Sequence, residues 1–296
     1  MREIDFIGRR GTALYISTVL NLVVLCVIAI WGLRYGIDFA GGTDLEVSFT
    51  APISADELRS RIVSGGLRDV VVQRLGLGQG QDYLIHLRGE NVSNQAIQAL
   101  SAGRVSPEFE VRRTDFVGPQ VGRQLRNRGI IAIVFAMLAI VGYLAYRFDF
   151  KFAPGALVAL VHDAIMVLGY YAISRREFTL TSIAALLTVI GYSVNDKVVI
   201  FDRIREEMGR LAGKPLATII NIAINKTLRR TFVTGGVTSL SLLGLVVFGT
   251  GDIFDFAVSM LIGIFVGTYS SIFIGSELAL WIDSLLKRRA LRPVPR

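Results

Sequence analysis

Six stretches of this chain are apolar for long enough to cross a bilayer as helices. They cover residues 12–33, 129–146, 154–173, 181–201, 232–248 and 254–278. A bilayer core needs about 20 apolar residues in a helix, and in lipid every backbone polar group must find its partner inside the segment. The chain is therefore expected to be a multi-pass α-helical membrane protein with six transmembrane helices. Residues 249–253 leave room only for a tight turn between antiparallel fifth and sixth spans. Arg2, Arg9 and Arg10 precede the first span as in a secretory signal. Its apolar core is too long for one, and no small-x-small site follows before Trp31, so a retained anchor is expected. Composition agrees: 52% of residues are hydrophobic and 19% charged, against about 25% charged in soluble domains. A secreted domain, a cytosolic enzyme and a disordered chain are excluded. The single cysteine, Cys26, rules out a disulfide framework and a thiolate metal site. The two histidines, His86 and His162, leave little for zinc.

Basic residues orient the spans. With the N-terminus in the cytoplasm, 17 lysines and arginines fall on the cytoplasmic side, and the short outer loops hold only Arg175 and Arg176. Both termini are expected in the cytoplasm. The net charge of +8 is then spent on the membrane surface and lipid head groups. No aromatic-basic interleaving points to nucleic acid.

Residues 34–128 carry 12 basic and 11 acidic side chains, as a small soluble domain does. Residues 45–50, 70–75, 83–87 and 108–116 pattern as strands. Residues 54–64 pattern as a helix opened by a capping box, Ser54 and Glu57, and residues 93–102 as a second helix. The order βαββαβ is that of a ferredoxin-like α+β domain, expected outside the cytoplasm. Gly76, Gly78 and Gly80 lie between two strands, where a hairpin loop is expected and not a phosphate cradle, which needs a following helix N-terminus. Gly213-Lys214-Pro215 lacks the upstream glycine and the following Ser or Thr of a Walker motif. No Ser/His/Asp or Cys/His constellation suggests hydrolysis, so neither an enzyme nor a cofactor is expected. The remaining organisation is a cytoplasmic N-terminus and first span in 1–33, a five-helix bundle in 129–278 with a cytoplasmic amphipathic segment in 202–230, and a basic cytoplasmic tail in 279–296.

Ionisable residues at membrane depth cost about 2.5–3.5 kcal/mol each on insertion scales and are functional candidates by default. His162 and Asp163 lie midway along the third span. Asn195, Asp196 and Lys197 interrupt the fourth, and Arg229 and Arg230 stand where the fifth begins. Burial and a nearby guanidinium act on a carboxyl in opposite directions. An Asp196 subject to both can switch charge as its partner moves, as a proton relay requires; the alternative is a static ion pair or cap. Arg230 is the natural counter-charge, although positive-inside anchoring accounts for it equally well; for Arg229 anchoring is the preferred reading. His162 and Asp163 are about 100° apart on a helix and are expected to point in different directions. Gly263 and Gly267 form a GxxxG pair, a mark of close helix packing.

Gly36-Ile37-Asp38-Phe39-Ala40-Gly41-Gly42-Thr43 resembles the G-x-D-F-x-G-G-T signature of the SecD/SecF family. Val117-Gly118-Pro119-Gln120-Val121-Gly122 resembles its V-G-P-x-V-G stretch, and Val161-His162-Asp163 its H-D pair. Gly191-Tyr192-Ser193-Val194-Asn195-Asp196, followed by Asp202-Arg203-Ile204-Arg205-Glu206, resembles the SecF-branch motif G-Y-S-x-N-D…D-R-I-R-E. Arg230-Thr231 matches the R-T before the fifth span. The resemblance covers nearly the whole chain, in order. It implies a resistance-nodulation-division assembly of twelve spans formed with SecD. That assembly assists the SecYEG translocon and SecA, with YajC as a further candidate partner, and draws preproteins across the bacterial plasma membrane with the proton motive force. It implies a proton pathway through Asp196 and Arg230, with Asn195, Asp163 and His162 as weaker members. A hinge at the domain entry is expected in Asp38, Phe39, Gly41, Gly42 and Thr43. The absence of a fused SecD half implies a separate partner. The competing functions are half of a proton-coupled small-molecule efflux transporter, or a scaffold of the translocon.

Overall fold

The computed structural model describes residues 4–75, 81–89, 92–102, 108–148 and 152–290. Helix α1 (Arg10–Trp31) leads into a two-residue strand β1 (Arg34–Tyr35), a single helical turn α2 (Ile37–Ala40) and strand β2 (Gly42–Phe49). Helix α3 (Ala55–Ser64), strands β3 (Val71–Arg74) and β4 (Asp82–Leu87), helix α4 (Ser93–Ser101) and strand β5 (Phe109–Val117) follow. The remainder is helical apart from strand β6 (Glu177–Phe178): α5 (Pro119–Arg147), α6 (Ala153–Ser174), α7 (Leu180–Arg210), α8 (Leu216–Phe248), α9 (Gly251–Ser270), a π-helical turn (Ser271–Gly275) and α10 (Ser276–Ala290).

Among the described residues, six helices are long and apolar enough to span a membrane: Ile7–Trp31, Pro119–Arg147, Ala153–Ser174, Leu180–Arg210, Leu216–Phe248 and Gly251–Leu285. They fall into two classes. About half of α6, α7 and α9 is buried, while α1, α5 and α8 leave most of their surface open. The open faces carry Tyr15, Ile131, Phe135 and Leu240, apolar side chains at home in lipid or against another subunit. The core is tight where glycines allow it. A Cβ on Gly263 would come within 2.2 Å of Val189 on α7, and one on Gly267 within 2.9 Å of Ser193. The GxxxG pair thus seats α9 directly against α7.

The sheet domain has the expected βαββαβ order, with strands arranged β3-β4-β2-β5 and every neighbouring pair antiparallel. Alternate residues of β2 point into a core: Leu45, Val47 and Phe49 pack with Tyr83, Ile85 and Leu87 beneath Leu58, Ile62, Ala96 and Leu100 of the two helices. Ser54 caps α3 by accepting a bond from the Glu57 backbone N–H at 3.1 Å. Gly76, Gly78 and Gly80, expected as a hairpin loop, lie outside the described residues. The other face of the sheet carries Asp44, Glu46, Arg113 and Asp115. It looks across a cavity of about 520 Å³ toward Glu177 and the first turn of α9.

Two boundaries differ from expectation. Helix α5 begins at Pro119, ten residues before the apolar run. Arg123, Arg126 and Arg128 lower its hydropathy without interrupting helix formation, and Pro119 suits a first helical turn. The segment 202–230, expected as one amphipathic surface segment, is instead divided between the end of α7 and the start of α8, a continuous helix of 33 residues. Ile219, Ile220, Ala223 and Ile224 pack on Ile200, Phe201 and Ile204, which holds the two helix ends together as bundle.

Candidate functional site

The charged and hydroxyl residues of α6, α7 and α9 converge on one polar seam. Asp163, on α6, is fully buried. Its Oδ2 accepts from Ser193 Oγ at 2.6 Å, Ser270 Oγ at 2.8 Å and Lys197 Nζ at 3.1 Å. Its Oδ1 lies 3.0 Å from His162 Nδ1. Lys197, one turn beyond Ser193 on α7, is equally buried and also reaches Ser270 at 3.2 Å and Ser271 at 3.3 Å. Ser193 and Ser270 each accept from the ammonium and donate to the carboxylate, so the pair is both charge-balanced and hydrogen-bonded. Burying two charges is tolerable only under both conditions.

The helices build this arrangement from simple parts. The i, i+4 spacing puts Ser193 and Lys197 on one face of α7. Gly267 removes the side chain that would keep α9 away from Ser193. The Ser271 hydroxyl bonds back to the Gly267 carbonyl at 2.6 Å, and the helix then passes through the π turn Ser271–Gly275. Such turns shift the register of the residues after them and are frequent at functional sites.

Asp196 sits beside this network but outside it. It is 3% exposed and accepts from Thr268 Oγ1 of α9 at 3.1 Å. Among the described residues no cation bonds to it. Lys197 and then Arg230 act on it electrostatically, and neither forms an ion pair with it. Arg230 is exposed and lines a separate cavity of about 500 Å³ between α5, α7 and α8, together with Asn195, Tyr143, Asp202 and Lys226. The expected residues thus divide. Asp163 and His162 meet and bond, although adjacent helix positions diverge, because the imidazole nitrogen bends back to its neighbour's carboxylate. Asp196 stands alone on the seam, and Asn195 and Arg230 share the neighbouring cavity. Lys197, Ser193, Ser270 and Thr268 were not singled out as site residues. Of these, only Lys197 carried a sequence signal, as a cation inside an apolar helix.

The residues of the expected hinge lie where the sheet domain meets the bundle, and each makes a defined contact there. Asp38 Oδ2 accepts the Leu180 backbone N–H at 2.8 Å, a bond to an N–H that the start of α7 leaves free. Phe39 is buried against Phe178 with ring centroids 5.9 Å apart. Gly41 has φ +76°, and a Cβ there would lie 2.7 Å from the Pro119 Cα. Gly42, at φ +140°, brings its backbone against the Leu87 carbonyl, and Thr43 Oγ1 donates to the Gly89 carbonyl at 2.9 Å. Strands β1 and β6 pair in parallel next to this junction, Arg34 opposite Glu177 and Tyr35 opposite Phe178. Burial pushes the Glu177 carboxyl up to about 7. Burial alone would lower the His86 imidazole, but its hydrogen bond to the Asp44 carboxylate, with the Glu177 and Asp44 charges, outweighs it and leaves His86 raised.

Comparison with known proteins places this architecture. A sequence family described as "Protein export membrane protein SecD/SecF, C-terminal" matches residues 97–285, and one described as "SecD/SecF GG Motif" matches residues 28–53. The protein translocase subunit SecF of Magnetococcus marinus is 45% identical over 96% of this chain and 94% of its own. That of Pseudomonas aeruginosa is 36% identical over 95% and 92%. Among solved structures, SecDF from Thermus thermophilus, described as a translocon-associated membrane protein, superposes with a TM-score of 0.87 at 32% identity. The match covers 95% of this chain and 39% of the SecDF chain.

Proposed function

This chain belongs to the SecD/SecF family of protein-export membrane proteins, and from that premise we propose that it is the SecF-type half of a proton-driven export motor. It acts with a SecD-type partner beside the SecYEG translocon and its ATPase SecA, with YajC as a further candidate. Both termini face the cytoplasm, and the sheet domain lies on the outer side of the bacterial plasma membrane, near the emerging preprotein. The observation that carries the reading is Asp196, a carboxylate at membrane depth that no cation bonds, one residue from a closed ion pair.

Within the seam Asp163 and Lys197 cancel. Asp196 then decides the net charge, and a lone charge at this depth is costly. Its state changes when a proton arrives or when Arg230 approaches from the adjoining cavity. In this reading a partner-subunit carboxylate exchanges that proton with Asp196. The packing of α7 on α9, set by Gly263 and Gly267, transmits the change toward the sheet domain through the bond from the Leu180 N–H to Asp38. One charge crossing 100 mV supplies about 2.3 kcal/mol, enough to bias states a few kcal/mol apart.

The test is late-stage preprotein export in vesicles that contain the chain with its partner and the translocon. Asp196→Asn is expected to abolish the response to an imposed proton gradient while ATP-driven export persists. A wild-type response refutes the relay. Normal export with Asp196 and Arg230 neutralised together indicates a scaffold instead.

A further inference from the structure

The cavity between the sheet and the bundle holds a cluster that the proton relay does not use. Asp44 on β2 and His86 on β4 are direct cross-strand partners, and His86 Nδ1 lies 2.9 Å from Asp44 Oδ1. Glu177 reaches the same point from β6, in the connection between α6 and α7. One ligand atom from each of the three lies within 4.8 Å of the other two. Glu177 is nine-tenths buried, at 9% exposure, and among the described residues its carboxylate has no hydrogen-bond donor. The nearby cations are turned elsewhere: Arg34 donates to the Arg175 carbonyl and Arg88 to Asp69.

We propose that Asp44, His86 and Glu177 form a binding site for a divalent transition-metal cation, best represented by Zn²⁺, that ties the sheet domain to the membrane bundle. One imidazole and two carboxylates are a ligand set suited to zinc, with a fourth position left for water. Ligands with zinc bonds of about 2.0–2.2 Å stand roughly 3.3–3.5 Å apart in a tetrahedron, so the three groups close on a metal by small rotamer shifts. The cation supplies what Glu177 lacks among the described residues, a positive group bonded to its carboxylate. It also adds a tie between two parts of the chain already linked at the Asp38–Thr43 junction and where β5 runs into α5, so its occupancy would set how freely the sheet domain moves on the bundle.

The experiment uses the full chain without an affinity tag, in detergent micelles, stripped by a chelator. Zinc is titrated calorimetrically, and cobalt absorption then reports the coordination geometry of the same site. The expected result is one Zn²⁺ per chain, a cobalt spectrum of tetrahedral type, and at least tenfold weaker binding in Glu177→Gln and in His86→Ala. His162→Gln, which alters the only other histidine, and Asp196→Asn should bind as wild type, which separates this site from the relay. Absence of stoichiometric binding by the wild-type chain overturns the proposal without reference to the folding of any variant. So does wild-type affinity in both Glu177→Gln and His86→Ala.

Discussion

Asp163 and Glu177 are both buried acids, one at the centre of the helix bundle and the other where the bundle meets the sheet, and their surroundings differ. Asp163 has four polar partners, Lys197 among them. Glu177 has no hydrogen-bond donor among the described residues and shares its cavity with Asp44 and Asp252. Membrane depth explains the contrast. Inside the bilayer little water or ion can make up a deficit, so a charge kept there permanently is matched within the protein, and an acid left unmatched is favoured in its protonated form. At the rim of the bundle a proton or cation from solution can complete the balance. The same contrast recurs inside the seam on a smaller scale, where Asp163 is matched by Lys197 while Asp196 has only Thr268. The matched pair is architecture, and the unmatched acid is the part free to respond.

The comparison breaks first if the matched pair proves dispensable. Removing one member, as in Lys197→Met, leaves a buried charge alone and is expected to destabilise the chain by about 3–5 kcal/mol. Denaturant unfolding in micelles measures this. The double substitution Asp163→Leu/Lys197→Met should regain most of the loss, and equal losses in single and double variants would show that the pair does not act as a unit. Next in size is the approach of α9 to α7. Gly263→Val forces a side chain into Val189 and should cost roughly 1–3 kcal/mol by overpacking, read in the same assay. Asp38→Ala removes the bond to the first N–H of α7 and should cost about 0.5–2 kcal/mol. Faster hydrogen exchange at residues 180–183 would locate the effect, and unchanged exchange there would detach the junction from α7. The smallest effect sharpens the contrast within the seam. Thr268→Val takes from Asp196 its one hydrogen bond among the described residues and should change stability by about 0.5–1.5 kcal/mol while altering gradient-driven export more than stability.

The six spans were legible because a bilayer demands a length and a hydropathy that little else demands. The strand and helix order of the sheet domain was legible because Leu45, Val47 and Phe49 alternate, and because Ser54 marks a helix start. The start of α5 was not, since hydropathy falls at Arg123, Arg126 and Arg128 while helix propensity does not. Asp196, Arg230, His162 and Asp163 stood out as ionisable groups in apolar surroundings. Their partners did not, because which of them meet depends on how α6, α7 and α9 cross. That crossing depends in turn on Gly267, whose GxxxG spacing marks close packing without naming the partner helix, and on the π turn after Ser270, which has no composition of its own. The motif put Asp196 and Arg230 together, whereas the structure sets Arg230 in the neighbouring cavity and makes Lys197 the buried cation. Glu177 had no signal at all. It is a single acid in a short connection, and only the folded chain brings it to His86 and Asp44.

The central claim is that Asp196 exchanges a proton while Asp163 and Lys197 remain paired. Infrared difference spectra of the intact complex in vesicles, recorded before and after a proton gradient is imposed, test it directly. The account predicts a protonated-carboxyl band that appears with the gradient in the wild type and is absent in Asp196→Asn. The same band persisting in Asp196→Asn, or no carboxyl change in the wild type, would contradict it.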